Sequence, residues 1–331
     1  MGGVVLVTGG AGYIGSHVCK ALAREGYQPV CYDDLSSGHE WAVRWGPLVR
    51  GDVRDRTALQ SAFERHRPTA VAHLAALIQA GEAEHDPAGY ESVNLGGTEA
   101  LLEAMAAAGV ARLVHSSTCG IYGARDEALA EDAALAPAGV YGRTKLAAER
   151  AIVAAAPRHG IAAQCLRYFN AAGADPELEI GEAHEPETHV IPLLLDVASG
   201  RRSEFALYGT DYPTPDGTCV RDYLHVADIA AAHVAALAAP VQSGSVEPYN
   251  LGNERGYSVH EVIRSCERVT GCRIPVRAAP RRPGDAVSLR ADSTRARREL
   301  GWSPRHPELE TMIAHAWAWH RKQATRDRPA S

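Results

Sequence analysis

Residues 4–15 restrict this chain more than any other stretch of it. The apolar run Val4–Thr8 passes directly into Gly9-Gly10-Ala11-Gly12-Tyr13-Ile14-Gly15, and a helical pattern takes over from Ser16 to Glu25. Glycines at 10, 12 and 15, or at 9, 12 and 15, let the backbone turn tightly and bring free helix N–H groups against a ligand pyrophosphate. Alone, such a loop is also compatible with a plain tight turn. Asp33 argues against that reading. It ends the next strand pattern, eighteen residues past Gly15, where a carboxylate can accept both ribose hydroxyls of adenosine. The same charge repels a 2′-phosphate, so NAD is expected rather than NADP. A P-loop is excluded because Gly15 is followed by Ser16-His17 with no lysine. Asp52-Val53, after the third strand, is placed to line an adenine pocket, although Asp52 alone reads equally well as a loop cap.

The first half repeats this alternation. Strands are expected at Pro29–Asp34, Leu48–Val53, Ala70–Ala76, Arg112–Thr118 and Ala162–Asn170. Helices are expected at Gly97–Ala108, closed by Gly109, and at Tyr141–Ala155, stopped by Pro157. Continuous apolar strands between helices imply a doubly wound parallel sheet covered on both faces, an α/β fold. The second half differs. Ala171–Asp222 is rich in Pro, Gly and Glu and carries the loop-like Thr210–Thr218, while Val226–Leu237, Ser258–Val269 and Leu309–Arg321 have helical patterns and Glu247–Leu251 is one more strand. The expected division is a nucleotide-binding domain of 1–170, with 221–252 returning to it. A smaller C-terminal lobe would be formed by 171–220 and 253–322, with 323–331 a frayed tail.

Composition removes other classes. With 34 Lys+Arg against 40 Asp+Glu the net charge is −6, which gives no general footing on nucleic acid or anionic lipid. No apolar stretch approaches a membrane span, and the N-terminus lacks the pattern of a signal peptide. The seven cysteines form no C-x-x-C and mostly sit in apolar runs, as in a protein of the reducing cytoplasm. No metal site is expected.

The reactive residues follow the nucleotide half. Tyr141 and Lys145 are spaced i, i+4, so on a helix they share a face. A free tyrosine, with its pKa near 10, is a poor base at neutral pH; an adjacent ammonium and an oxidised nicotinamide both favour phenolate. Thr118, at the C-terminal end of its strand, can place a hydroxyl on the same substrate oxygen. It reads equally well as a strand-end hydroxyl bonding backbone.

Together the glycine loop, Asp33, Thr118 and Tyr141/Lys145 resemble the extended short-chain dehydrogenase/reductases, which have a Rossmann-like fold. Four later motifs narrow the resemblance to the UDP-glucose 4-epimerases: Leu166–Ala174, Thr210–Val226, Tyr249–Gly252 and Ala279–Asp285. The similarity runs from about Val4 to Trp302, and the 210–226 block is its most specific part. It implies a homodimeric isomerase that holds NAD tightly and works reversibly at C4 of a UDP-hexose through a 4-keto sugar. Tyr141 is then the base on O4, with Lys145 bonding the nicotinamide ribose and Thr118 assisting proton transfer. By position, Gly9, Gly12, Tyr13, Ile14, Gly15, Asp33, Asp34, Asp52, Val53, Leu74, Ala75, Ala76, Tyr141, Lys145 and Tyr168 contact the cofactor. Asn170, Ala206, Tyr208, Arg221, Arg282 and Asp285 contact the UDP part, and Phe169 lies beside the sugar. Two arginines and an asparagine also suit a diphosphate chemically.

The chain departs from that pattern at Ile78, Ala83 and Val93, where relatives often carry lysine, serine and asparagine. Leu289 occupies the position that sets pocket width beside the sugar's C2 substituent; it is intermediate between the tyrosine and the smaller residues of relatives. The alternatives are 4-epimerisation of another UDP-sugar (UDP-xylose, UDP-glucuronate or the N-acetyl sugars), or a non-catalytic NAD-binding regulator. A dehydratase is disfavoured because Thr118 is followed by Cys119-Gly120 rather than an acidic pair.

Overall fold

The computed structural model describes residues 2–123, 128–282 and 285–326. In chain order the strands are β1 Val4–Thr8, β2 Gln28–Asp33, β3 Leu48–Arg50, β4 Ala70–His73, β5 Arg112–Thr118, β6 Ala128–Leu129, β7 Ala162–Tyr168, β8 Asn170–Ala172, β9 Phe205–Tyr208, β10 Val220–His225, β11 Val246–Leu251, β12 Gly256–Ser258, β13 Val276–Ala279 and β14 Ser288–Ala291. The helices are α1 Tyr13–Arg24, α2 Arg56–His66, α3 Ala80–Ala83, α4 Pro87–Glu91, α5 Gly97–Ala108, α6 Val140–His159, α7 Val190–Ala198, α8 Val226–Ala238, α9 Val259–Thr270, α10 Thr294–Leu300 and α11 Leu309–Arg326.

Seven strands form one parallel sheet in the order β11-β7-β5-β4-β1-β2-β3. Successive side chains of a strand point to opposite faces, so a strand buried on both places consecutive apolar residues in two cores. Val5 and Val7 enter the core beneath α1 and α8, with Val18, Leu22 and Ile229. Leu6 enters the opposite core with Leu59, Phe63, Leu101, Met105 and Ile152 from α2, α5 and α6. The strand order reverses between β1 and β4. Ligands of open α/β sheets bind in the crevice at that switch point, outside the strands' C-terminal ends.

A second sheet, β12-β10-β14-β6 with β8 pairing β10, stands beyond those ends. A third core packs α7, α9 and α11 against β9 and β10. Residues 221–225, expected to return to the nucleotide domain, thus lie in the second sheet; the return begins with α8, which packs on α1, and with β11.

Three expected elements differ. Pro157 does not stop α6, which runs to His159 and closes at Gly160 in the left-handed conformation. The missing Pro157 N–H leaves the carbonyl of Val153 without its helical donor, but Val153 is 56% exposed, so water can serve it. The Pro-, Gly- and Glu-rich stretch 171–222, for which no regular element was expected, holds β8, α7 and β9. Pro192 falls in the first turn of α7, where a missing N–H costs nothing. Finally, α11 continues past the expected fraying point to Arg326, and 327–331 lie outside the described residues. Among the described residues no helix is long and apolar enough to cross a membrane.

Candidate active site

The turn after β1 is tight by necessity. Gly9 has φ +71°, and a Cβ there would lie 2.6 Å from the Ala75 nitrogen; one on Gly15 would lie 2.0 Å from the Gly9 carbonyl oxygen. Glycine therefore locks loop, helix and the β4 end together, and leaves the α1 N-terminus facing the crevice. Asp33 is buried and accepts from the Ala11 and Leu35 amides, each at 2.9 Å on a different oxygen. Each oxygen keeps a lone pair for a ribose hydroxyl. Burial raises the Asp33 carboxyl, and the two amides oppose that. Asp52 fits its bland reading as well as its pocket position. Its carboxylate caps the Arg54 amide at 2.8 Å and pairs with the Arg54 guanidinium, which lowers its pKa.

This cradle opens into a cleft of about 1490 Å³ between the two sheets. All the residues expected at the cofactor line it, from Gly9 to Tyr168. So do Thr118, Phe169, Asn170, Arg221, Arg282, Asp285 and Leu289. Ala206 and Tyr208 do not. They lie on β9, paired with β13. Tyr208 reaches the site only indirectly, its ring lying 4.2 Å beneath the Arg282 guanidinium.

Helix α6 carries Tyr141 and Lys145 to the cleft. Its close approach to the β5 end depends on Gly142, where a Cβ would lie 2.6 Å from the Gly120 carbonyl oxygen. Glu84, not singled out in the sequence, accepts the Val140 amide at 2.7 Å and seats the helix N-terminus. Thr118 makes the backbone contact considered for it and also faces Tyr141. Its hydroxyl accepts the Gly120 amide at 3.1 Å, and it hydrogen-bonds Tyr141. Lys145 is 3% exposed, and burial lowers its ammonium to about 8. The Glu149 carboxylate one turn on is committed to Arg167 and Ser117. The expected acidification of Tyr141 by Lys145 is overridden in the protein alone. Burial raises the phenol above its ordinary range, and the Thr118 hydrogen bond opposes that.

A buried polar chain joins the cradle to this helix. Thr8 Oγ1 meets His73 Nδ1 at 2.7 Å, His73 Nε2 meets Thr98 Oγ1 at 3.0 Å, and Thr98 donates to the Asn94 carbonyl at 2.6 Å. Asn94 donates to Thr144 Oγ1 at 3.0 Å, and Thr144 donates to the Tyr141 carbonyl at 2.9 Å. Asn94 also brackets the Leu77 backbone. Of the departures, Ile78 and Val93 line the cleft, while Ala83 is fully buried against Tyr90 and Val140. Leu289 is in register with Arg221 and packs with Phe169 and Cys119.

A Rossmann-like sheet with this cradle and a Tyr/Lys/Thr set in one cleft defines a dinucleotide-dependent enzyme. Residues 5–252 match the NAD dependent epimerase/dehydratase family, and the chain belongs to it. The chain is 48% identical over 320 residues to a UDP-glucose 4-epimerase of Rhizobium meliloti (strain 1021), covering 96% of this chain and 97% of that one. A Stenotrophomonas maltophila UDP-glucose-4-epimerase structure with bound NAD and formylated UDP-arabinopyranose matches with TM-score 0.94 and 40% identity, covering 98% and 99% of the two chains. One from Bifidobacterium longum, with NAD+ and UDP, matches with TM-score 0.91 and 35% identity, covering 97% and 99%.

Proposed function

We propose that this chain interconverts UDP-glucose and UDP-galactose by reversible epimerisation at C4, with NAD held throughout the cycle. The carrying observation is the single cleft that Gly9–Gly15, Asp33, Tyr141, Lys145, Thr118, Arg221 and Arg282 all line. The cradle fits NAD: glycines where a Cβ would clash, a free helix N-terminus, and Asp33 with one lone pair left on each oxygen. Bound NAD supplies a reversible hydride store beside the sugar C4.

The protein's own groups do the rest. Tyr141 takes the O4 proton as the 4-keto sugar forms, and returns it after the sugar has presented its other face. Lys145 holds the nicotinamide ribose and adds positive charge beside the phenol. Thr118 orients the same oxygen. Arg221 and Arg282 grip the diphosphate and Asp285 the uridine ribose, so the sugar can turn while the nucleotide stays fixed. Asn170 and Phe169 line the passage between them. The chain acts as a homodimer in galactose metabolism of the cytoplasm, as its resemblance implies. The intact Tyr141/Lys145/Thr118 set counts against a purely regulatory protein. Incubating the purified protein with a panel of UDP-sugars, without added NAD, tests the reading. The glucose/galactose pair should interconvert at constant mass. Turnover confined to xylose, glucuronate or acetylated sugars would assign another substrate.

The dinucleotide released on denaturation should be NAD(H), since a 2′-phosphate would face the buried Asp33 carboxylate. Recovery of NADP, or of no dinucleotide together with no affinity for added NAD, would contradict this.

Leu289 should set the acceptance of C2 substituents, because it packs against Phe169 in the cleft wall. Leu289→Ser is expected to raise relative kcat/KM toward UDP-N-acetyl sugars and to keep the plain hexoses within about tenfold, pocket-volume changes being worth about 1–3 kcal/mol. An unchanged ratio of kcat/KM for the two pairs would place selectivity elsewhere.

A further inference from the structure

The stretch 181–189, within the Pro-, Gly- and Glu-rich part of the second half, gathers four potential ligands. Glu182, His184, Glu187 and His189 each bring one ligand atom within 4.8 Å of the other three. His189 Nδ1 lies 2.9 Å from Glu182 Oε1 and 2.8 Å from Glu187 Oε1, and His184 Nδ1 lies 3.1 Å from Glu182 Oε1. The two carboxylates are only 11% and 13% exposed. Buried carboxylates need compensating positive charge.

Other elements hold the group in place. The Trp319 indole donates to the Glu182 carbonyl at 3.0 Å, and His39 Nε2 contacts the Ala183 carbonyl at 2.8 Å. The Thr188 and His189 amides donate to Glu187 Oε1 at 2.6 and 2.7 Å, and His189 is the residue before α7. Glu182, His184 and His189 also line the cleft.

We propose that Glu182, His184, Glu187 and His189 form a site for a divalent transition-metal ion in the cleft wall. Four ligands at about 2.0–2.2 Å around a tetrahedral zinc stand roughly 3.3–3.6 Å apart. The three contacts of 2.8–3.1 Å need to open by a few tenths of an ångström, and the remaining pairs, all within 4.8 Å, to draw to the same spacing around one ion. Two neutral imidazoles with two carboxylates give a net −2 donor set that a divalent ion neutralises. Imidazole nitrogen favours Zn2+ and Co2+ over Mg2+ and Ca2+, which prefer oxygen cages. The competing state of the same residues is a metal-free clasp, in which a protonated His189 bridges the two carboxylates.

The test uses the full chain with its NAD, dialysed against chelator and titrated with Co2+ and Zn2+. The site predicts one equivalent of Co2+ with the visible absorption of tetrahedral nitrogen–oxygen coordination, displaced by Zn2+ and not by Mg2+. Zn2+ should also raise Tm, since it binds the folded state. His184→Ala and Glu187→Gln should each weaken Co2+ binding by more than about tenfold, beyond what changes to outer partners of a metal site begin to cost. His159→Ala, on the far end of α6, should leave it unchanged. Should His184→Ala fail to fold, the isosteric Glu187→Gln decides alone. No Co2+ spectrum at micromolar metal, or one untouched by these variants, would overturn the site and leave the clasp.

Discussion

Tyr141→Phe is expected to keep the fold and the bound NAD yet lose about 10²–10⁴ in turnover, the range a positioned acid–base group contributes. The ring is retained, so its packing beside Tyr90 and Val140 persists and only the proton-carrying oxygen is lost. Burial holds the phenol high in the protein alone, so phenolate must be favoured by positive charge in the loaded site. The sign for Lys145→Ala follows. A base works in its deprotonated form, so activity rises with pH through the phenol's pKa; removing the ammonium raises that pKa and moves the rising limb to higher pH. Steady-state rates across pH, with NAD content measured on the same samples, check both. Near-native turnover in Tyr141→Phe would refute the assignment.

Glu149→Ala should destabilise the fold by about 3–5 kcal/mol, because it strands a buried arginine. Arg167 grips Glu149 through Nε to Oε1 at 3.0 Å and Nη2 to Oε2 at 2.7 Å, with both side chains under 10% exposed. The same guanidinium lies over the Tyr122 ring and donates to its hydroxyl at 2.8 Å, and Tyr122 in turn donates to Asn250 at 2.7 Å. The pair thus ties α6 to β7, the β5 end and β11. Replacing both partners together, as Glu149→Leu with Arg167→Met, should recover most of the loss, since apolar residues leave no unpaired charge. Denaturant unfolding of the three proteins checks this. Equal losses in the single and double variants would show that packing around the pair, not the stranded charge, carries the effect.

The nucleotide half was legible because each feature there has one physical cause. Burial on both faces makes β1 apolar from Val4 to Val7, and the clash at Gly15 admits no side chain. The second half was less so. Helix α7 lies in the Pro-, Gly- and Glu-rich stretch 171–222, whose composition gives no helical pattern, and it carries Pro192 in its first turn. The Pro157 stop failed because solvent at Val153 could replace the lost donor. Tyr141, Lys145 and Thr118 were readable from spacing and strand ends. The residues that position them, Glu84, His73 and Thr98, were not, since their partners are distant in the chain. Ala206 and Tyr208 came only from resemblance, and they lie on β9, with Tyr208 beneath Arg282 of the cleft.

The most direct measurement of the central claim follows the hydrogen on C4. UDP-galactose carrying deuterium at C4 is incubated with the purified protein, with no NAD added, and the UDP-glucose formed is examined by mass spectrometry and NMR. Removal and return of that hydrogen within one closed site predicts product of unchanged mass, with deuterium retained at C4 and configuration inverted. Deuterium lost to solvent, or conversion that requires added NAD, would contradict it.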